Sequence, residues 1–161
     1  MLLEEQAAHV AARKVSAAAI AELRTLNREM RAAMRQRHVG RTLELNRQFH
    51  FSIYRAAHQP FLLTLIEMTW LQVVPFFAQV LRDALAKRVP RGSDQLPEVA
   101  EEFFDMHEEI IDGLAARDLK RVGRALHAAL SRSAELFEER SLSTASADQR
   151  RPSAVRDAQT A

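Results

Sequence analysis

An all-α fold, an antiparallel bundle of six helices (seven if a helix kinked at Pro75 counts as two), is what the sequence predicts. Three observations predict it. Apolar residues recur three and four positions apart through most of the chain. Only 4 of the 161 residues are glycine, too few for the tight turns of a hairpin-rich β fold. The breaks between periodic segments are short and marked by Ser, Asp, Gly or Pro, as helix ends are.

The elements follow in order. Leu2, Leu3, Gln6, Ala7, Val10 and Ala11 keep helical spacing, and Ser16 can cap a second helix from Ala17 to about Gln36. Its stripe is Ile20, Leu23, Leu26 or Asn27, Met30 and Met34, and Gly40 is placed to supply a left-handed terminus after it. A third helix, Arg41 to Ala57, buries Leu45, Phe49, Ile53 and Ala56, and His58-Gln59-Pro60 closes it. The fourth, from Phe61 to Lys87, is apolar all round, the pattern of a central helix. Pro97 and Glu98 open a fifth helix that ends near Ala116. Asp118 caps a sixth whose stripe is Val122, Leu126, Ala129, Ser133 and Phe137. The folded domain is expected to span residues 1–140. Residues 141–161, rich in Ser, Thr, Ala, Gln and Arg, are expected to be a disordered tail.

Composition narrows the function. With 47% hydrophobic residues there is apolar material for a core, and with no cysteine there is no disulfide framework, thiolate zinc site or cysteine nucleophile. Neither a signal peptide nor a run of eighteen apolar residues is present, so a cytoplasmic protein with no membrane partner is expected. The formal net charge of +2 hides two blocks of opposite sign. Ten basic residues stand between Arg13 and Arg55 against Glu22, Glu29 and Glu44. From Asp94 to Asp112 there are eight acidic residues and no Lys or Arg. Arg24, Arg28, Arg31 and Arg35 could follow a phosphate backbone or serve as a partner-binding face, but no aromatic residues interleave with them. A solvated helix face is the preferred reading.

Histidine carries the chemistry to test. His50 lies one turn after Asn46, so both project from one face of the third helix, the i, i+4 arrangement with which helices grip divalent cations. His107 sits between apolar positions of the fifth helix and points partly inward. His9, His38 and His58 fall at a helix edge or in turns, and His127 is on the sixth helix. A buried core histidine satisfied by a neighbour is the simpler reading of such a residue.

The segment NRQFHFSIYRAAHQPFLLTL resembles the third-to-fourth-helix signature of the FCD domain, the effector-binding domain of GntR-type transcription regulators of the FadR subfamily. The carrying residues are Asn46, Phe49-His50, Ile53, Ala56 and His58-Gln59-Pro60. The segment LLEEQAAHVAARKVSAAAIAELRTL is similar to the family's opening helices, and MHEEIIDGLAARDLKRVGRALHAAL to its last pair. Together they cover Leu2 to Phe137.

The resemblance implies a helical bundle around a cavity, a small-molecule effector such as a carboxylate metabolite, a homodimer and no enzymatic activity. It also implies a divalent metal (Zn, Ni or Mn) on an Asp and three His. Those ligands fall here on Asn46, His50, His107 and Ala129, so two of the four are intact. The expectation is a metal site that is weak, unusual in its ligands or lost. The effector pocket would be lined by Tyr54, Trp70, Phe76, Phe77 and Phe103, for which plain core packing is the simpler account. DNA would be reached only through an N-terminal winged helix that this chain does not include. Two alternatives remain: a stand-alone helical metal-binding protein or metalloenzyme built on Asn46, His50 and His107, and a helical interaction module acting on a full-length regulator.

Overall fold

The computed structural model describes residues 2–88, 90 and 95–149, the side chains of 87, 88 and 140–149 excepted. Six helices follow in order: α1 (Leu2–Ala11), α2 (Ala17–Arg35), α3 (Val39–Ala56), α4 (Pro60–Arg88), α5 (Glu98–Ala115) and α6 (Leu119–Gln149). No strand occurs among the described residues. The chain divides into two compact units, residues 1–130 and 131–161. The first holds α1 to α5 and the opening turns of α6. In the second, Arg132 pairs along its own helix with Glu135 and Glu139 at 3.4 and 3.7 Å.

Two helix starts are capped as their sequences predict. Ser16 Oγ accepts from the Ala19 amide at 3.1 Å, and Asp118 Oδ1 from the Arg121 amide at 2.9 Å, each taking one of the donors that a first turn leaves unpaired. The helix ends differ from expectation. Gly40 lies inside α3, and the left-handed residue after α2 is Arg37, at φ 60°. His58 and Arg117 take the same conformation, both at φ 55°. After α2 the His38 amide reaches Ala33 O and the Arg37 amide reaches Met34 O, both at 2.9 Å, a closing pair of bonds that offsets part of the cost of a left-handed non-glycine residue.

Two further expectations are corrected. α4 is one helix through Pro75, and it is not the central one. Only Ile66, Ala78, Leu81 and Leu85 are buried along it, while Phe61 is 77% exposed, Leu71 75% and Met68 61%. By length and mean hydropathy alone, 1.6 over its apolar window, α4 could cross a membrane, although one of its faces packs on α1, α3 and α5. The central helix is α3, which buries Val39, Thr42, Leu45, Phe49, His50, Phe51, Ile53 and Tyr54 against α1, α2 and α4. Its polar residues are the reason sequence periodicity underrates it. Helix α6 runs on to Gln149, since residues 141–149 contain neither Pro nor Gly. The rest of the expected tail, 150–161, lies outside the described residues.

The core is built mainly from small residues of α1 (Ala7, Ala8, Ala11) against the larger stripes of α2 and α3 (Leu23, Leu26, Met30, Met34, Leu45, Phe49). Where α5 turns into α6 the backbones approach closely. A Cβ on Gly113 would stand 2.8 Å from Val122 Cγ2 and 3.0 Å from Val122 N. Glycine inside a helix costs about 1 kcal/mol relative to alanine, so its presence here is explained by the contact it permits. Replacing Gly113 with Ala is expected to destabilise the fold by about 1–2 kcal/mol net, overpacking outweighing the gain in helix propensity. Thermal unfolding checks this through a melting temperature lowered by several degrees.

Candidate functional site

The opposite charge blocks of the sequence meet across the α2–α5 contact. Arg24 pairs with Glu108 at 3.1 Å and Asp112 at 2.7 Å, and Arg31 reaches Glu101 and, at 2.6 Å, Asp105. Early α2 pairs with late α5 and the reverse, which is antiparallel packing. Arg121 on α6 extends the network to Glu109 at 2.8 Å and Asp112 at 3.2 Å. The Arg24 guanidinium, hydrogen-bonded to Asp112, is the main reason that carboxyl is held below its usual range. Such half-exposed pairs are worth about 0.2–1 kcal/mol each, so they set helix alignment more than stability. Two of the four stripe arginines are thereby engaged within the fold, which disfavours a continuous phosphate-following patch.

Beneath that network lies a chain of buried polar side chains. Glu108 Oε1 accepts from Asn27 Nδ2 at 2.6 Å, and the same amide nitrogen donates to Phe104 O at 3.2 Å. Asn27 Oδ1 faces His107 Nδ1 at 3.3 Å. His107 Nε2 meets His50 Nε2 at 3.2 Å, and His50 Nδ1 lies 3.3 Å from the Tyr54 hydroxyl. That hydroxyl is also 3.3 Å from Glu4 Oε1, which accepts from Trp70 Nε1 at 2.8 Å. The chain thus links α5, α2, α3, α1 and α4. Asn27, His50, His107 and Glu4 are all buried, and every buried side-chain polar atom described has a partner. Phe49 lies against His107, with ring centroids 4.4 Å apart, and Trp70 against His50 at 5.4 Å, walling the pair off from water.

Burial decides protonation. It lowers the pKa of His50 to about 4. His107 is pushed well below its ordinary range, first by burial and then by the charges of His50 and Arg31. Both imidazoles are therefore neutral near pH 7 and keep lone pairs to offer. Tyr54 is held well above its usual range by burial, by the Glu4 charge and by the hydrogen bond to Glu4, so its hydroxyl keeps its proton.

A family model, the FCD domain, matches residues 1–132. The chain belongs to the FCD domain family. Among solved structures it is similar to E. coli McbR/YncC, with a TM-score of 0.70 and 21% identity over 85% of this chain and 63% of that one. At that identity the likeness is one of fold, and this chain spans less than two thirds of that relative's length. A comparison with curated proteins found no match.

In this FCD domain the sequence-predicted ligands separate. His50 and His107 come together. Asn46 is half-buried one turn before His50 and joins none of the hydrogen bonds above. Ala129 is buried and offers a methyl group. His127 turns to the exposed side, where it meets Glu5 at 2.9 Å. Among the described residues no three His, Cys, Asp or Glu side chains converge as metal ligands. The pair itself fits a shared ion. Two nitrogens about 2.0–2.1 Å from one tetrahedral zinc stand roughly 3.3 Å apart, close to the observed 3.2 Å. Each distal nitrogen also has an orienting partner, as metal-bound imidazoles generally do.

The five expected pocket aromatics also divide. Tyr54 and Trp70 belong to the imidazole group, whereas Phe77 packs between Phe76 and Phe103 with ring centroids 5.9 and 5.7 Å away. A different cavity of about 590 Å³, lined in part by Arg37, His38, Gly40 and Arg82, opens at the start of α3 and contains none of the five. Sequence reasoning missed Asn27 and Glu4. The signal for Asn27 was a polar residue inside an apolar stripe. Glu4, in a first turn rich in acid, carried no distinguishing signal.

The lowered histidine pKa values set a pH dependence. Between pH 6.5 and about 4 the unfolded chain binds a proton that folded His50 refuses, so acid favours unfolding across that window. His50 alone should cost about 3 kcal/mol of stability by its lower end, at roughly 1.4 kcal/mol per pH unit. Urea unfolding at pH 7.5 and pH 4.5 measures the loss. Equal stability at the two pH values would contradict neutral burial of the pair.

Proposed function

We propose that this chain is the effector-sensing and dimerisation domain of a GntR-type transcription regulator, non-enzymatic and cytoplasmic, with its ligand site at the His50–His107 pair. The observation that carries the reading is the meeting of these two histidines, Nε2 to Nε2, in the interior of an FCD domain. Two neutral imidazoles shielded from water suit zinc or nickel, with Asn46 as a weaker oxygen donor. The remaining coordination positions would be left to solvent or to the effector. A bound divalent ion would supply a fixed positive charge to which a small carboxylate can bind. His50 and His107 would hold the ion, Phe49 and Trp70 would exclude water, and Tyr54 and Trp70 would give the effector its apolar wall.

The dimer face in this reading is the exposed side of α4. Phe61, Met68 and Leu71 stand out from it, and between Pro60 and Leu81 the only charged residue is Glu67. A second copy of the chain is the occupant that suits an uncharged face, because a two-fold contact sets each residue near its own counterpart and like charges there would repel.

Calorimetry of the whole chain with small carboxylates, with and without zinc or nickel, tests the sensing role. Binding is expected to need the metal, and His50→Ala or His107→Ala should weaken metal affinity at least tenfold. A folded protein that binds neither metal nor any carboxylate would overturn the reading. For the dimer, Met68→Glu with Leu71→Glu should convert a species of about twice 18.3 kDa into one of 18.3 kDa in sedimentation. An unchanged mass would place the interface elsewhere.

A further inference from the structure

Hydrogens must be counted along the buried chain, and the count has a single solution at one end. Asn27 spends both amide hydrogens on Phe104 O and Glu108 Oε1. The opposite orientation of its amide would set its oxygen against two other oxygens, so Oδ1 must be the atom facing His107. A carbonyl oxygen only accepts. His107 Nδ1 must therefore carry the proton, and in a neutral ring its Nε2 is then a lone pair directed at His50. Without a cation, His50 must donate from Nε2, which leaves His50 Nδ1 as an acceptor. The Tyr54 hydroxyl has one hydrogen and two claimants, His50 Nδ1 and Glu4 Oε1, each 3.3 Å away. In this state it goes to His50, and Glu4 keeps only the bond from Trp70 among those described here.

With both Nε2 lone pairs committed to one zinc ion the count changes. His50 can then only be the Nδ1–H tautomer. It donates to Tyr54, and Tyr54 turns its hydrogen to Glu4 on α1. The change is proton-neutral, one proton leaving His50 Nε2 and one arriving at Nδ1 through solvent. We propose that Asn27 is a positioning residue that fixes the tautomer of His107, and through it makes the Tyr54 hydroxyl choose between His50 and Glu4 according to whether a cation occupies the imidazole pair. The inference concerns the same site as the sensing role. Its tautomer assignment stands apart from any effector.

Long-range ¹H–¹⁵N spectra of the whole, ¹⁵N-labelled chain read the tautomers directly. Metal-free protein should show His107 protonated at Nδ1 and His50 at Nε2, and zinc should move His50 to the Nδ1–H form. Asn27→Leu should abolish the His107 preference and weaken zinc binding at least tenfold. Wild-type His107 protonated at Nε2, or an Asn27→Leu chain with unchanged spectrum and zinc affinity, would overturn the role of Asn27. A His50 tautomer unmoved at saturating zinc would overturn the Tyr54 exchange. Should the variant fail to fold, the wild-type spectra alone decide. No effector enters any of these readouts, so their failure is distinct from a failure of the sensing role.

Discussion

The need to satisfy buried polar groups is the constraint on which the rest of this bundle depends. Among the described residues five polar side chains are buried, Glu4, Asn27, Thr42, His50 and His107, and four of them belong to one hydrogen-bonded chain. A buried polar group left without its partner costs about 1–3 kcal/mol, so the members of such a chain hold one another in place. The chain fixes which face of α3 looks at α5, which face of α2 lies between them, and how α1 and α4 close the far side. The apolar stripes supply the driving force, but leucine and alanine pack in many registers. The polar chain admits one.

The all-α class, the number of helices, the caps at Ser16 and Asp118 and the core stripe of α2 were legible because they depend on local chemistry and period. The inward direction of His50 and His107 was legible for the same reason. Their meeting across fifty-seven positions was not a local property, and it entered only through resemblance to a family. Asn27 and Glu4 were missed because a polar residue announces its burial only when its partner on another helix is known. The centrality of α4 was misjudged on a sound rule applied to an incomplete molecule. An apolar helix seeks cover, and the cover need not come from its own chain. Gly40 was likewise given the left-handed role that Arg37 performs.

Two surfaces thus divide the labour. The α2–α5 face is closed by its own charges, with Arg24 and Arg31 matched to four acidic residues and the network continued to α6. The α4 face is apolar and unmatched within the chain. Between them sits an imidazole pair held neutral by burial and screened by Phe49 and Trp70. Substitution at two of the family's four ligand positions, Asn46 and Ala129, leaves this pair as the core of the site. It also makes an incoming ligand a larger part of any coordination that forms there.

The central claim is that the His50–His107 pair is the ligand site. Crystals of the whole chain grown with zinc, with anomalous diffraction collected at the zinc edge, test it most directly. The account predicts one interior peak within coordination distance of both Nε2 atoms. An interior empty of anomalous signal, or a peak held by other residues, would contradict it.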